Sequence, residues 1–83
     1  MQQIVLQLYG TLGCHLCEQA KALLIDSLPA SSYTLEEPDI SESAELMSLY
    51  VLRIPVLYRD DLQLELDWPF DADILQAFMA ADA

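Results

Sequence analysis

The chain has 83 residues, enough for one hydrophobic core and too few for two, so a single domain over residues 1–83 is expected. Fourteen acidic residues against Lys21, Arg53 and Arg59 give a net charge of −11, which repels phosphate backbones and excludes nucleic acid as a partner. Residues 1–9 lack a basic flank, Gln3 and Gln7 break their apolar run, and no small-residue cleavage site follows, so neither a signal peptide nor a membrane span is expected and the chain reads as a cytoplasmic monomer.

Ile4, Val5, Leu6, Leu8 and Tyr9, bounded by Gly10 and Gly13, predict a largely buried first strand. Thr11, Leu12 and Gly13 then form a loop that delivers the chain to Cys14. Leu16, Ala20, Leu23, Leu24 and Leu28 recur at helical spacing until Pro29, which predicts a helix whose N-terminus presents Cys14. Residues 32–36 have strand composition and enter a loop at Pro38. Asp39 or Ser41 is expected to cap a second helix through Leu46, Met47 and Tyr50, and Asp39 with Glu42 matches a capping box. Residues 55–58 and 62–66 flank Asp60 and Asp61 as a β-hairpin, its second strand alternating so that one face meets the core. Asp71 is expected to cap a last helix with Ile74, Leu75, Phe78 and Ala81 as its apolar stripe. The order β-α-β-α-β-β-α suits an α/β domain with one mixed four-stranded sheet.

Both cysteines and the only histidine lie in the stretch Cys14, His15, Leu16, Cys17. Two thiols three positions apart on the first turn of a helix can close into a disulfide. Beside a βαβ pattern this spacing reads as a thiol–disulfide exchange site, in which one sulfur attacks and the other resolves the mixed disulfide. Cys14, at the positive end of the helix, is the expected nucleophile and should ionise below the free-thiol range; Cys17, one turn further in, is the expected, more buried, resolving thiol. His15 is either a cation that eases that ionisation or an exposed residue on the helix turn. A metal site is not expected, because Cys14, His15 and Cys17 supply too few ligands and stand too close in sequence to surround a tetrahedral ion. Arg53, Ile54 and Pro55 open the third strand, where a proline needs no N–H. A cis Ile54–Pro55 bond packed against the cysteines would leave the Ile54 backbone groups free to pair with an extended thiol substrate.

A C-x-x-C after the first strand, with an X-Pro opening the third, resembles the thioredoxin fold, and the short length and single closing helix resemble its glutaredoxin branch, a three-layer fold. The stretch Glu65, Leu66, Asp67, Trp68, Pro69, Phe70, Asp71 is similar to one in small bacterial glutaredoxin-like proteins. The resemblance implies a dithiol–disulfide oxidoreductase with no tightly bound cofactor, glutathione as a co-substrate, and a disulfide-containing protein or small thiol as partner. By position it assigns substrate binding to Arg53, Ile54 and Pro55, and to Phe70 and Asp71 at the start of the last helix. His15-Leu16 between the cysteines, Trp68-Pro69 where a Gly-Gly turn is usual, and a net charge of −11 predict that glutathione binds weakly, with Arg53 as its main anion-binding group. Trp68 is read as a packing residue more than as a ligand platform. The alternative function is a non-enzymatic binding module whose thiols dock a metal or a partner.

Overall fold

The computed structural model describes residues 3–82. The elements are β1 (Ile4–Tyr9), α1 (His15–Ser27), β2 (Tyr33–Glu36), α2 (Ala44–Tyr50), β3 (Val56–Arg59), β4 (Leu64–Asp67) and α3 (Ala72–Ala80), with single 3₁₀ turns at Ala30–Ser32 and Ile40–Glu42. The sheet order is β2-β1-β3-β4. β1 pairs parallel with β2 and antiparallel with β3, and β3 with β4 forms the hairpin. The helical crossover between β1 and β2 and the tight turn after β3 are the connections that parallel and antiparallel pairing respectively require.

Because side chains alternate across a strand, the two faces of the sheet carry two different cores. Leu6 and Leu8 of β1 and Leu57 of β3 face α1 and α3, where they meet Ala20, Leu24, Phe70 and Leu75. Val56 faces the other way and packs with Ile40 and Tyr50 under α2, with Tyr9, Leu46, Met47 and Ile54 around them. The result is three layers. β1 is therefore less buried than its composition suggests, since the seven-residue α2 covers only the Tyr9 end of that face and leaves Val5 exposed.

Three local expectations are corrected. Asp39 does not cap α2: its carboxylate accepts from the Ser41 N–H and starts the 3₁₀ turn, while Ser43 Oγ accepts from the Leu46 N–H and caps the helix. Two capping residues four apart split what periodicity reads as one helix. β4 is an edge strand in which only Leu66 is half-buried and packs on the core, while Leu64 stays exposed. In α3 the inward stripe is Leu75, Phe78 and Met79, whereas Ile74 is exposed.

Arg59 is the buried cation of the fold. Its Nη1 donates to the carbonyls of Phe78 and Met79 at 2.8 and 3.0 Å, satisfying the C-terminus of α3, while Nε and Nη2 hold the Asp61 carboxylate at 2.8 and 3.0 Å. A guanidinium suits this position because it supplies several donors in a fixed fork.

Candidate functional site

β1 ends at Tyr9, and the chain turns through Thr11, Leu12 and Gly13 into α1. The Cys14 N–H donates to the Thr11 carbonyl at 3.3 Å, and Gly13 takes φ of 75°, the left-handed third position of a type II turn that favours glycine. This turn sets Cys14 as the N-cap of α1, a place usually held by an oxygen-bearing side chain. Here the sulfur does the capping: Cys14 Sγ accepts from the Cys17 N–H at 3.1 Å. The two sulfurs are joined as a disulfide, with the Cα atoms 5.2 Å apart. When the bond opens, a Cys14 thiolate would stand against this N–H and at the positive end of the helix, both of which favour the charged form.

Both cysteines are half-buried. Cys17 packs against Gly10. A Cβ built there would lie 2.7 Å from Cys17 Sγ, so Cys17 seats over bare backbone instead of beneath a side chain. Gly10 also ties the site to the loop after β2, donating to the Pro38 carbonyl at 3.3 Å and accepting from the Ile40 N–H at 2.9 Å. Two adjoining depressions of about 130 and 260 Å³ open on this side, sharing Thr11, Leu12, Cys17 and Glu37. Lys21 lines the larger one, with Nζ bonded to Glu37 Oε2 at 3.0 Å. His15 is exposed on the helix turn, 4.0 Å from the Glu18 carboxylate, which supports the plainer of its two readings.

The other sequence-predicted residues gather at the same end of the sheet. Val56 pairs with Tyr9 on one side and with Asp67 on the other, so the segments 51–55 and 68–71 flank the cysteine turn. Pro55 is buried, its bond to Ile54 is cis, and its carbonyl accepts from the Trp68 N–H at 3.3 Å. The Trp68–Pro69 bond is cis as well. Only half of the expected Ile54 backbone is available, because its N–H already donates to the Tyr50 carbonyl at 3.1 Å. Phe70 is buried and Trp68 stands edge-on to it at 5.1 Å between centroids, a packing role for both. Asp71 occupies the N-terminus of α3 with its own carboxylate, which accepts from the Ile74 N–H at 2.8 Å.

Arg53 is engaged as well. Its Nη2 lies 2.6 Å from Asp67 Oδ1 and 2.9 Å from Glu65 Oε1, its Nε 3.2 Å from Asp67 Oδ2, and its guanidinium 5.3 Å from the centre of the Tyr50 ring. The Tyr50 hydroxyl donates to Glu65 Oε2 at 2.6 Å, and the ring stacks on Tyr9 at 4.5 Å. Bonds from the Tyr50 hydroxyl and then Arg53 hold Glu65 below the usual carboxylate range, and Arg53 does the same for Asp67. Burial and the bond to Glu65 push the Tyr50 phenol up. The sequence marks Arg53 and misses its captors; the only signal was that Glu65 and Asp67, two apart on one strand, share a face.

Leu12 and Leu52, from the two loops at this end, are 90% and 96% exposed, and Leu16 between the cysteines is exposed too. Among the described residues no three His, Cys, Asp or Glu side chains gather as metal ligands, and no helix is long and apolar enough to cross a membrane.

A four-stranded mixed sheet with a C-x-x-C disulfide at the strand-to-helix turn and a proline opening the neighbouring strand defines a small protein of the thioredoxin fold. The chain belongs to the glutaredoxin-like domain family DUF836, whose pattern matches residues 5–80. It is similar to a structural-genomics target protein from X. campestris, solved by X-ray diffraction, at 41% identity and a TM-score of 0.81 over 94% of this chain and 99% of that one. The solution structure of the X. campestris target gives 40% identity and a TM-score of 0.79 over 94% and 95%. A protein from Nitrosomonas europaea, solved by solution NMR, is 34% identical with a TM-score of 0.80, covering 94% of this chain and 93% of that one. No curated protein matches the chain. The fold, the family and the Cys14–Cys17 pair fit a redox role.

Proposed function

We propose that the chain is a dithiol–disulfide oxidoreductase of a reducing compartment such as the cytoplasm, with Cys14 as nucleophile and Cys17 as resolving thiol. The observation that carries this is the placement of Cys14 Sγ as the cap of α1, receiving the Cys17 N–H. In the forward direction the Cys14 thiolate attacks a substrate disulfide, one substrate sulfur leaves as thiolate, and Cys17 then attacks Cys14 Sγ to release the second substrate sulfur and close the disulfide. Two electrons pass from the cysteine pair to the substrate. The Ile54 carbonyl, beside the buried Pro55, is the backbone group left to receive an N–H of an extended substrate. Exposed Leu12, Leu16 and Leu52 favour a polypeptide partner over a small polar one.

Alkylation of the reduced protein across pH tests the assignment. Cys14 is expected to react first and to reach its plateau below the range of a free thiol, with Cys17 following at higher pH. Equal rates at the two positions would remove the division of roles.

A further inference from the structure

Each of the three Lys and Arg side chains is already bonded to a carboxylate: Lys21 to Glu37, Arg59 to Asp61, and Arg53 to both Glu65 and Asp67. Arg59 is buried against α3, so Lys21 and Arg53 are the cations at the cysteine end. Lys21 shares its depression with Glu18 and Glu37, and Arg53 is held by two acids, so the charge balance is negative on both sides of the disulfide. Arg53 precedes Pro55 by two positions and its side chain is still 36% exposed, close enough to solvent to meet an incoming thiol were it not held.

We infer that Glu65 and Asp67 are specificity-determining residues: by holding the Arg53 guanidinium they withhold it from anionic thiols, so the cysteine pair exchanges with neutral or cationic ones. The assignment rests on thiol exchange at Cys14. A small thiolate attacks Cys14 Sγ, the bond to Cys17 breaks, and Cys17 leaves as a thiolate that takes up a proton. A second small thiolate attacks the added sulfur, and Cys14 leaves in turn, so two thiols are oxidised to one small disulfide while the protein pair gains two electrons. A thiolate that carries further negative charge meets acids with no unpaired Lys or Arg side chain among the described residues to offset them, whereas one whose own ammonium cancels its charge is not repelled.

The test follows reduction of the oxidised protein by glutathione, 2-mercaptoethanol and cysteamine, whose thiolates carry net charges of about −2, −1 and 0, each rate divided by the thiolate concentration, at about 20 and about 300 mM ionic strength. Added salt is expected to raise the glutathione rate more than the 2-mercaptoethanol rate and to leave the cysteamine rate nearly unchanged. In Glu65→Gln/Asp67→Asn the amides keep oxygen acceptors for Arg53 but not its charge partners. The ratio of the glutathione rate to the 2-mercaptoethanol rate is then expected to rise about two- to fivefold, the scale of one exposed charge pair, and adding Arg53→Ala should remove the rise. A glutathione rate that falls with salt, a ratio that does not move, or a rise that survives Arg53→Ala overturns the inference. If the double variant fails to fold, Asp67→Asn alone, at a half-exposed position, gives the same readout. A disulfide inert to all three thiols would instead overturn thiol exchange itself, and the specificity assignment with it.

Discussion

Gly10 does at the residue scale what no side chain could, since the Cys17 sulfur occupies the space a Cβ would need. In the disulfide that sulfur is tethered to Cys14 and cannot swing away; in the dithiol it can rotate about χ1. Gly10→Ala is therefore expected to cost the oxidised form about 1–3 kcal/mol, the range for overpacking, and the reduced form less. Thermal melts of the two forms check this, and the equilibrium with dithiothreitol should shift toward the reduced protein. Losses of equal size in both forms would show that the clash involves backbone more than the sulfur. The cysteines themselves were legible in the sequence from spacing alone. Gly10 was visible there only as punctuation after a strand, because its close approach to Cys17 exists only once β1 and α1 are packed.

Among the elements, α3 shows how a buried charge can lock a helix end. Arg59 leaves the hairpin strand to satisfy two terminal carbonyls, so Arg59→Ala exposes an uncapped C-terminus and removes the partner of Asp61. The expected loss is about 2–3 kcal/mol, for two bonds to a charged donor in a dry position and one half-exposed ion pair. Chemical denaturation of the variant reads it directly. Helix and strand identities followed from periodicity, whose origin is the burial of one face. Boundaries depended on caps: Ser43 against Asp39 decides where α2 begins, and two acceptors so close in sequence both satisfy the same local rule. Ile74 against Met79 could not be settled from a stripe, since which side of a nine-residue helix faces the sheet is set by where Phe70 and the hairpin deliver the chain.

Over the whole molecule, a charge of −11 sets the pH and salt response. Asp61, Glu65 and Asp67 have carboxyls held below their ordinary range by Arg59, by Tyr50 with Arg53, and by Arg53. A depressed folded value means that the unfolded chain binds protons first, so this contribution is present above the unfolded carboxyl range and is lost as pH falls through the folded values, below about pH 4. Repulsion among the remaining acids acts in the opposite sense, growing as pH rises to neutrality. Stability is expected to peak in mild acid, and at pH 7 about 0.5 M sodium chloride should raise the melting temperature by screening repulsion that three paired cations do not offset. A melting temperature that falls with salt at pH 7 would mean the ion pairs outweigh the repulsion. The charge itself was plain in the sequence, but its local consequence was not. Arg53 reads as an anion receptor until the hairpin folds Glu65 and Asp67 onto it.

The division of labour between the two sulfurs is tested most directly by trapping. Reduced Cys17→Ser and Cys14→Ser variants are each mixed with a neutral small-molecule disulfide, and the adducts are read by intact-protein mass spectrometry. Cys17→Ser is expected to accumulate a long-lived mixed disulfide at Cys14, because the attacking thiolate remains and the thiol that would release it is gone. Cys14→Ser is expected to form its adduct many times more slowly. Equal adduct formation by both variants, or a faster reaction at Cys17, would contradict the assignment of Cys14 as the nucleophile at the cap of α1.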